Sequence, residues 1–127
     1  MAIVFDSEAE GGSFASDASW THTVTTSGAD RILLVGIGMR GEPGGTTPTV
    51  SGITYAGSAL TKVDSETLEV GGAGIIAIEL WYLLAPATGA NTVAVSMSGG
   101  TGRNAACVSL SYTGVAQSST FGTQQKD

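Results

Sequence analysis

Arg31-Ile32-Leu33-Leu34-Val35-Gly36-Ile37-Gly38-Met39-Arg40 is an apolar run closed at each end by an arginine. Extended, it reaches about 30 Å; wound up, it falls short of the roughly 12–15 residues at which isolated helices hold together. Val35 and Ile37 favour extended backbone, and Gly36 and Gly38 would each cost a helix interior about 0.5–1 kcal/mol. The stretch therefore reads as a strand. Alternation sends Leu33, Val35, Ile37 and Met39 to one side and Ile32, Leu34, Gly36 and Gly38 to the other. The bulky side is expected to enter the core as part of a central strand. The glycine side is expected to admit a neighbouring layer or a close-lying loop.

Working outward, Trp20-Thr21-His22-Thr23-Val24-Thr25 alternates with period two, placing Trp20, His22 and Val24 on one face. Residues 2–5 read as an edge strand leading into a loop through Asp6-Ser7-Glu8-Ala9-Glu10 and Gly11-Gly12. On the other side, Gly41-Glu42-Pro43-Gly44-Gly45-Thr46-Thr47-Pro48-Thr49 is a loop. Val50 to Tyr55 resumes extended character, Ala56-Gly57 is a tight turn, and Leu60 to Val63 is expected to return antiparallel. Asp64 to Glu69 is polar and acidic. Ile75 to Leu84 divides Ile76, Ile78, Leu80 and Tyr82 from Ile75, Ala77, Glu79, Trp81 and Leu83. That places Glu79 among apolar neighbours and argues for an edge, a bulge or a subunit contact near it; a helix over 73–85 is the competing reading. Val93, Val95 and Met97 form a core face, and Val108, Leu110 and Tyr112 are expected to form another. Ala105, Cys107, Ser109 and Ser111 then make a small, smooth face suited to another layer or subunit.

Eight or so short strands divided by Gly, Pro, Ser and Thr turns point to an all-β fold, an antiparallel two-sheet sandwich with jelly-roll-like connections. The bulky faces at 33–39, 93–97 and 108–112 are expected to meet in one core. Residues 1–116 form the sandwich domain, and 117–127, polar apart from Phe121, is a polar tail or an intersubunit segment.

Composition narrows the function. A chain of 127 residues supplies one domain, and its 42% hydrophobic content suits a globular one. Only 13% of residues are charged, about half the usual share, so Gly, Ser and Thr must furnish much of the surface. Five basic residues face eleven acidic ones for a net charge of −6, and Arg31, Arg40, Lys62, Arg103 and Lys126 are scattered singly. No basic stripe meets nucleic acid or an anionic membrane. The start Met1-Ala2-Ile3-Val4-Phe5-Asp6 lacks the basic leader and long apolar segment of a signal peptide, and the run 73–85 is short for a helical span and contains Glu79.

His22 is the sole histidine and Cys107 the sole cysteine, which disfavours a His/Cys zinc site within one chain and leaves a Ser-His-Asp triad dependent on a strand histidine. Cys107 reads as a buried small hydrophobe. Asp6, Glu8 and Glu10, like Asp64, Glu66 and Glu69, read as solvated acidic loops, with a weak calcium site as the alternative; neither has the spacing of a helix-loop-helix calcium site. Gly36-Ile37-Gly38 and Gly41-Glu42-Pro43-Gly44-Gly45 lack the Gly-Lys-Ser/Thr ending of a phosphate loop. No cofactor is implied. Trp20, Tyr55, Trp81 and Tyr82 are the aromatics able to stack on a sugar ring.

Five blocks occur in order: Trp20-Thr21-His22-Thr23, Arg31 to Gly36, Ile53-Thr54-Tyr55-Ala56-Gly57-Ser58-Ala59-Leu60-Thr61, Leu80 to Gly89, and Ser111-Tyr112-Thr113-Gly114-Val115. Together, over residues 2–116, they resemble an uncharacterised β-sandwich module of tailed-phage virion proteins and bacterial surface or secreted proteins. Members of that group often carry Asn-Gly where this chain has Ala56-Gly57. The resemblance implies a structural or adhesive module with no assigned catalytic mechanism. The expectation is a non-catalytic structural subunit at a virion or extracellular surface, touching copies of itself or neighbouring virion or surface proteins. The alternative is a carbohydrate- or host-surface-binding module. Trp20, Tyr55, Trp81, Ala105, Cys107, Ser109 and Phe121 are the candidate ligand or subunit contacts.

Overall fold

Runs of β-branched and aromatic residues between glycine turns form nine strands in the computed structural model, which describes residues 2–25, 27–100 and 103–123. They are β1 (Val4–Phe14), β2 (Ala18–Val24), β3 (Ile32–Gly41), β4 (Thr49–Tyr55), β5 (Ser58–Ala59), β6 (Thr61–Val70), β7 (Gly74–Leu84), β8 (Gly89–Ser98) and β9 (Asn104–Thr113). Two antiparallel sheets result, a five-stranded one in the order β1-β9-β3-β7-β6 and a four-stranded one in the order β2-β8-β4-β5. The chain changes sheet at every connection except the β4–β5 and β6–β7 turns. The architecture is therefore the expected all-β, two-sheet sandwich.

β3 lies at the centre of the larger sheet, hydrogen-bonded to β7 on one side and β9 on the other. Leu33, Val35, Ile37 and Met39 enter the core and meet Val50, Ile53, Tyr55, Val93, Val95 and Met97 from the opposite sheet. Burial at about 25 cal/mol per Å² of apolar surface is what holds the layers together. The glycine side of β3 faces outward. β7 is a strand rather than the competing helix, with Ile75, Ala77, Glu79 and Trp81 inward and Ile76, Ile78 and Leu80 outward.

Ala56 and Gly57, both at positive φ (49° and 80°), make the two-residue turn joining β4 to β5, with Tyr55 opposite Ser58. The return is shorter than expected. Only Ser58–Ala59 pairs with β4; Leu60 is buried between the layers, and the chain crosses to the other sheet as β6. Asp64 to Glu69, expected as a loop, therefore lies in an edge strand paired with β7. The N-terminal acidic stretch is likewise strand, because β1 runs through it to Phe14 and absorbs irregularity as register shifts at Phe5/Ser7 and Glu10/Gly12.

The orientation of β9 reverses the expected one. Ala105, Cys107, Ser109 and Ser111 face inward, while Val108, Leu110 and Tyr112 face out or lie half-covered. The space beneath β9 is taken by Trp20 and His22 from β2, whose rings need small neighbours that can also form hydrogen bonds. After β9 the chain folds back over its own larger sheet. Gly114 N and Val115 N donate to Ala29 O and Asp30 O at 3.0 and 2.9 Å, and Phe121 packs edge-on to Tyr82 at 4.8 Å. Of the segment 117–127, residues 124–127 lie outside the described residues.

Candidate functional site

Three features carry unusual chemistry: a polar cluster inside each end of the sandwich and an apolar trough on its outer face. The first cluster is centred on His22, fully buried on β2. Its Nδ1 lies 2.8 Å from Ser109 Oγ and its Nε2 lies 3.0 Å from Ser111 Oγ and 3.2 Å from Ser7 Oγ. Trp20 Nε1 donates to Ser109 Oγ at 2.9 Å, and Ser109 Oγ in turn donates to Ala9 O at 3.2 Å. Ser111 Oγ donates to Asp6 Oδ2 at 2.7 Å, and Thr25 holds the same carboxylate through its backbone N at 3.1 Å and its hydroxyl. The register shift between Phe5 and Ser7 falls at Asp6, the residue that bonds Ser111 and Thr25.

Burial lowers the His22 pKa against the pull of Asp6, so the imidazole is neutral at pH 7. Burial pushes the Asp6 pKa up, but bonds from Thr25 and Ser111 and the nearby His22 outweigh it and hold the carboxyl below its ordinary 3.8. A histidine beside serines with a carboxylate nearby resembles hydrolase parts, but the arrangement differs. Asp6 bonds Ser111 rather than the imidazole, and His22, Ser109 and Ser111 have no exposed surface. What the cluster does in the folded chain is bind β1, β2 and β9 together.

The second cluster is centred on Glu79, buried on β7. Its Oε1 accepts from Thr49 Oγ1 at 2.9 Å and Val50 N at 3.2 Å, and its Oε2 accepts from Trp81 Nε1 at 2.8 Å and pairs with Lys62 Nζ at 3.0 Å. Lys62 also lies 5.1 Å from the Trp81 ring centre. Of the edge, bulge or subunit contact expected near Glu79, the described residues show a bulge, as a register shift between Lys62 and Asp64 on the neighbouring β6. The carboxylate thus ties β4 of one sheet to β6 and β7 of the other.

The trough follows β3 along the outside of the five-stranded sheet. Gly36 faces Leu80 on β7 and Val108 on β9, and Gly38 faces Ile78 and Ala106. Two residues without side chains between two ridges leave a groove of about 810 Å³, with Glu10 on one flank and Asp64 and Glu66 on the other. Its walls are exposed: Ile78 is 56% accessible, Leu80 38% and Val108 36%. Apolar patches of this kind are often functional surfaces.

The candidate contacts are mostly covered by the chain itself. Tyr55 is fully buried, its hydroxyl directed at Ala87 O at 3.1 Å, Gly89 O at 3.2 Å and His22 O at 3.3 Å. Trp81, Ala105, Cys107 and Ser109 are buried, Trp20 is half-buried under Gly11, and Phe121 is occupied with Tyr82. Burial, opposed by a backbone hydrogen bond from Gly11, pushes the Cys107 thiol up to about 11, which keeps it protonated at neutral pH. Among the described residues no group of three or more His, Cys, Asp or Glu is placed to hold a metal ion. Sequence reading missed the trough walls, although the paired glycines of β3 marked its floor, and it missed Ser7, Ser111 and Asp6 as partners of His22. A serine pair two residues apart and one strand histidine were the available signals. Comparison with known proteins returned no match: no family model, curated protein or solved structure is significantly similar to the chain.

Proposed function

We propose that the protein is a non-catalytic structural subunit of a virion or other extracellular protein assembly, and that the outer face of its five-stranded sheet is the contact surface. The exposed Ile76, Ile78 and Leu80 beside the bare backbone of Gly36 and Gly38 carry this reading. Both polar clusters are spent on joining strands, which leaves the trough as the large unsatisfied feature. A jelly-roll topology is part of the proposal. Its support is the nesting of antiparallel pairs, β1 with β9, β2 with β8, β3 with β7 and β4 with β5, around the Ala56-Gly57 turn, with β6 added at one edge. A glycan- or host-surface-binding role is the alternative, and it would have to use half-buried Trp20 or exposed Phe5 with half-covered Tyr112 in place of Tyr55 and Trp81.

The test is association measured by light scattering and by cross-linking in the native material, for the parent and for Ile78→Asp/Leu80→Asp. The expected result is repeated or neighbouring contacts that the double variant loses while remaining folded. A monodisperse parent monomer at high concentration, with no neighbour cross-linked in the native material, overturns the proposal.

A further inference from the structure

We infer that the β3 trough seats an amphipathic α-helix of another protein, one whose apolar stripe is flanked by Lys or Arg. The inference rests on the reading of the outer face as a contact surface and names what lies on it. The floor decides the occupant's secondary structure. Both edges of β3 are consumed in ladders, with Gly36 and Gly38 paired to Leu80 and Ile78 on one side and to Val108 and Ala106 on the other. An extended segment laid in the trough finds no backbone partners there and keeps its own N–H and C=O groups unsatisfied, whereas a helix brings its backbone already bonded.

The dimensions agree. Leu34, partly covered beside the returning tail, stands at one end and Arg40 at the other, six residues apart, or about 20 Å along a strand. The ridges on β7 and β9 are two strand spacings apart, about 9.5 Å. That admits one stripe of helical side chains over three to four turns, with successive apolar residues about 5–6 Å apart resting over Gly36 and Gly38.

Charge selects the flanks. Glu8 and Glu10, opposite Leu110 and Val108, run along one long side, and Asp64 and Glu66, opposite Leu80 and Ile78, stand on the other, each already engaged in an interaction of its own. Lys62 is directed inward to Glu79, and Arg40 sits at the open end with Ala73 O. A second copy of this chain, with net charge −6, would set carboxylates against carboxylates along such a contact. A helix carrying cations beside its apolar stripe meets the rim with the opposite sign.

The experiment titrates the full chain with a synthetic helix of about 18 residues, roughly 27 Å long, bearing a Leu stripe flanked by Lys. A second peptide carries Glu flanks and a third is a scramble of the first. Gly38→Gln fills the floor; nothing lies within 4 Å of a Cβ at that position, so the fold tolerates it. Glu8→Gln/Glu10→Gln neutralises one rim, and Glu42→Gln/Glu69→Gln removes equal charge elsewhere. The expected result is binding of the Lys-flanked helix alone, lost by about tenfold or more in Gly38→Gln and weakened about three- to tenfold in the rim variant at unchanged melting temperature. Equal binding by all three peptides, or binding indifferent to Gly38→Gln, overturns the inference. So does self-association of the parent abolished by Gly38→Gln, which leaves the outer face a contact surface but assigns it to a second copy. Loss of both peptide binding and every neighbour contact in native material is the distinct outcome that removes the assembly reading as well.

Discussion

The two faces of the five-stranded sheet use the same strands to opposite ends. On the inner face, β3 and β7 present Leu33, Val35, Ile37, Met39, Ala77 and Trp81 to the core and accommodate one carboxylate, Glu79, by surrounding it with donors. On the outer face the same strands present Gly36, Gly38, Ile76, Ile78 and Leu80 to solvent. Apolar content alone does not distinguish an inside from an outside. The inner face is apolar and fully partnered, whereas the outer face is apolar and open; the first property supports folding, and the second is what the proposed contact rests on.

Substitutions divide along this line. The largest effect is expected from Glu79→Ala, which leaves the buried donors Trp81 Nε1 and Val50 N without an acceptor at about 1–3 kcal/mol each, read as a drop in the denaturant midpoint. If stability were unchanged, the inner face would not depend on that cross-link. Gly11→Val comes next. A Cβ at Gly11 already meets Trp20 Cε3 at 2.7 Å, so added methyls force the half-buried indole and Cys107 aside at about 1–3 kcal/mol, measured the same way.

A smaller effect is expected from pH. His22 has a folded pKa below its ordinary 6.5, so as pH falls past that value the unfolded chain takes up the proton first. Stability from the neutral imidazole is present above pH 6.5 and declines toward pH 5, and Asp6, also depressed, adds a further loss below its ordinary 3.8. Melting temperatures from pH 7.5 to 5 should fall in the parent and fall less steeply in His22→Gln; parallel slopes would show that the imidazole is not the titrating group. The smallest effect belongs outside. Ile78→Asp/Leu80→Asp should change stability by only about 0.5 kcal/mol per site, because neither residue belongs to the core, while altering association; a large loss of stability would mean that the outer face is part of the fold after all.

Much of this division could be read in the residues beforehand. Alternation in β2, β3, β7 and β8 placed each side chain with its proper neighbours, and the Ala56-Gly57 turn was marked by its composition. The acidic stretches were misread as loops because edge strands tolerate charge on both sides, so polarity imitates a loop there. β9 was misread because two alternating faces, one bulky and one small, carry no label for inside. The candidate contacts followed from that reading: Ala105, Cys107 and Ser109 form a small face suited to another layer or subunit, and the layer they meet is the opposite sheet of the same chain.

Local sequence determined that this chain is extended, where most of its turns lie and which residues share a face, since steric preference and period-two alternation act within a few residues. For β9, tertiary structure alone decided which face turns inward. The rings of Trp20 and His22, brought over β9 by a strand some ninety positions away in the chain, demanded small hydroxyl partners and so drew Ser109 and Ser111 in and left Val108 to the solvent, as the separations of 89 and 87 positions to Ser109 record. Satisfying a buried imidazole and a half-buried indole outweighed the burial of one more valine, and that balance exists only once the two layers are in contact.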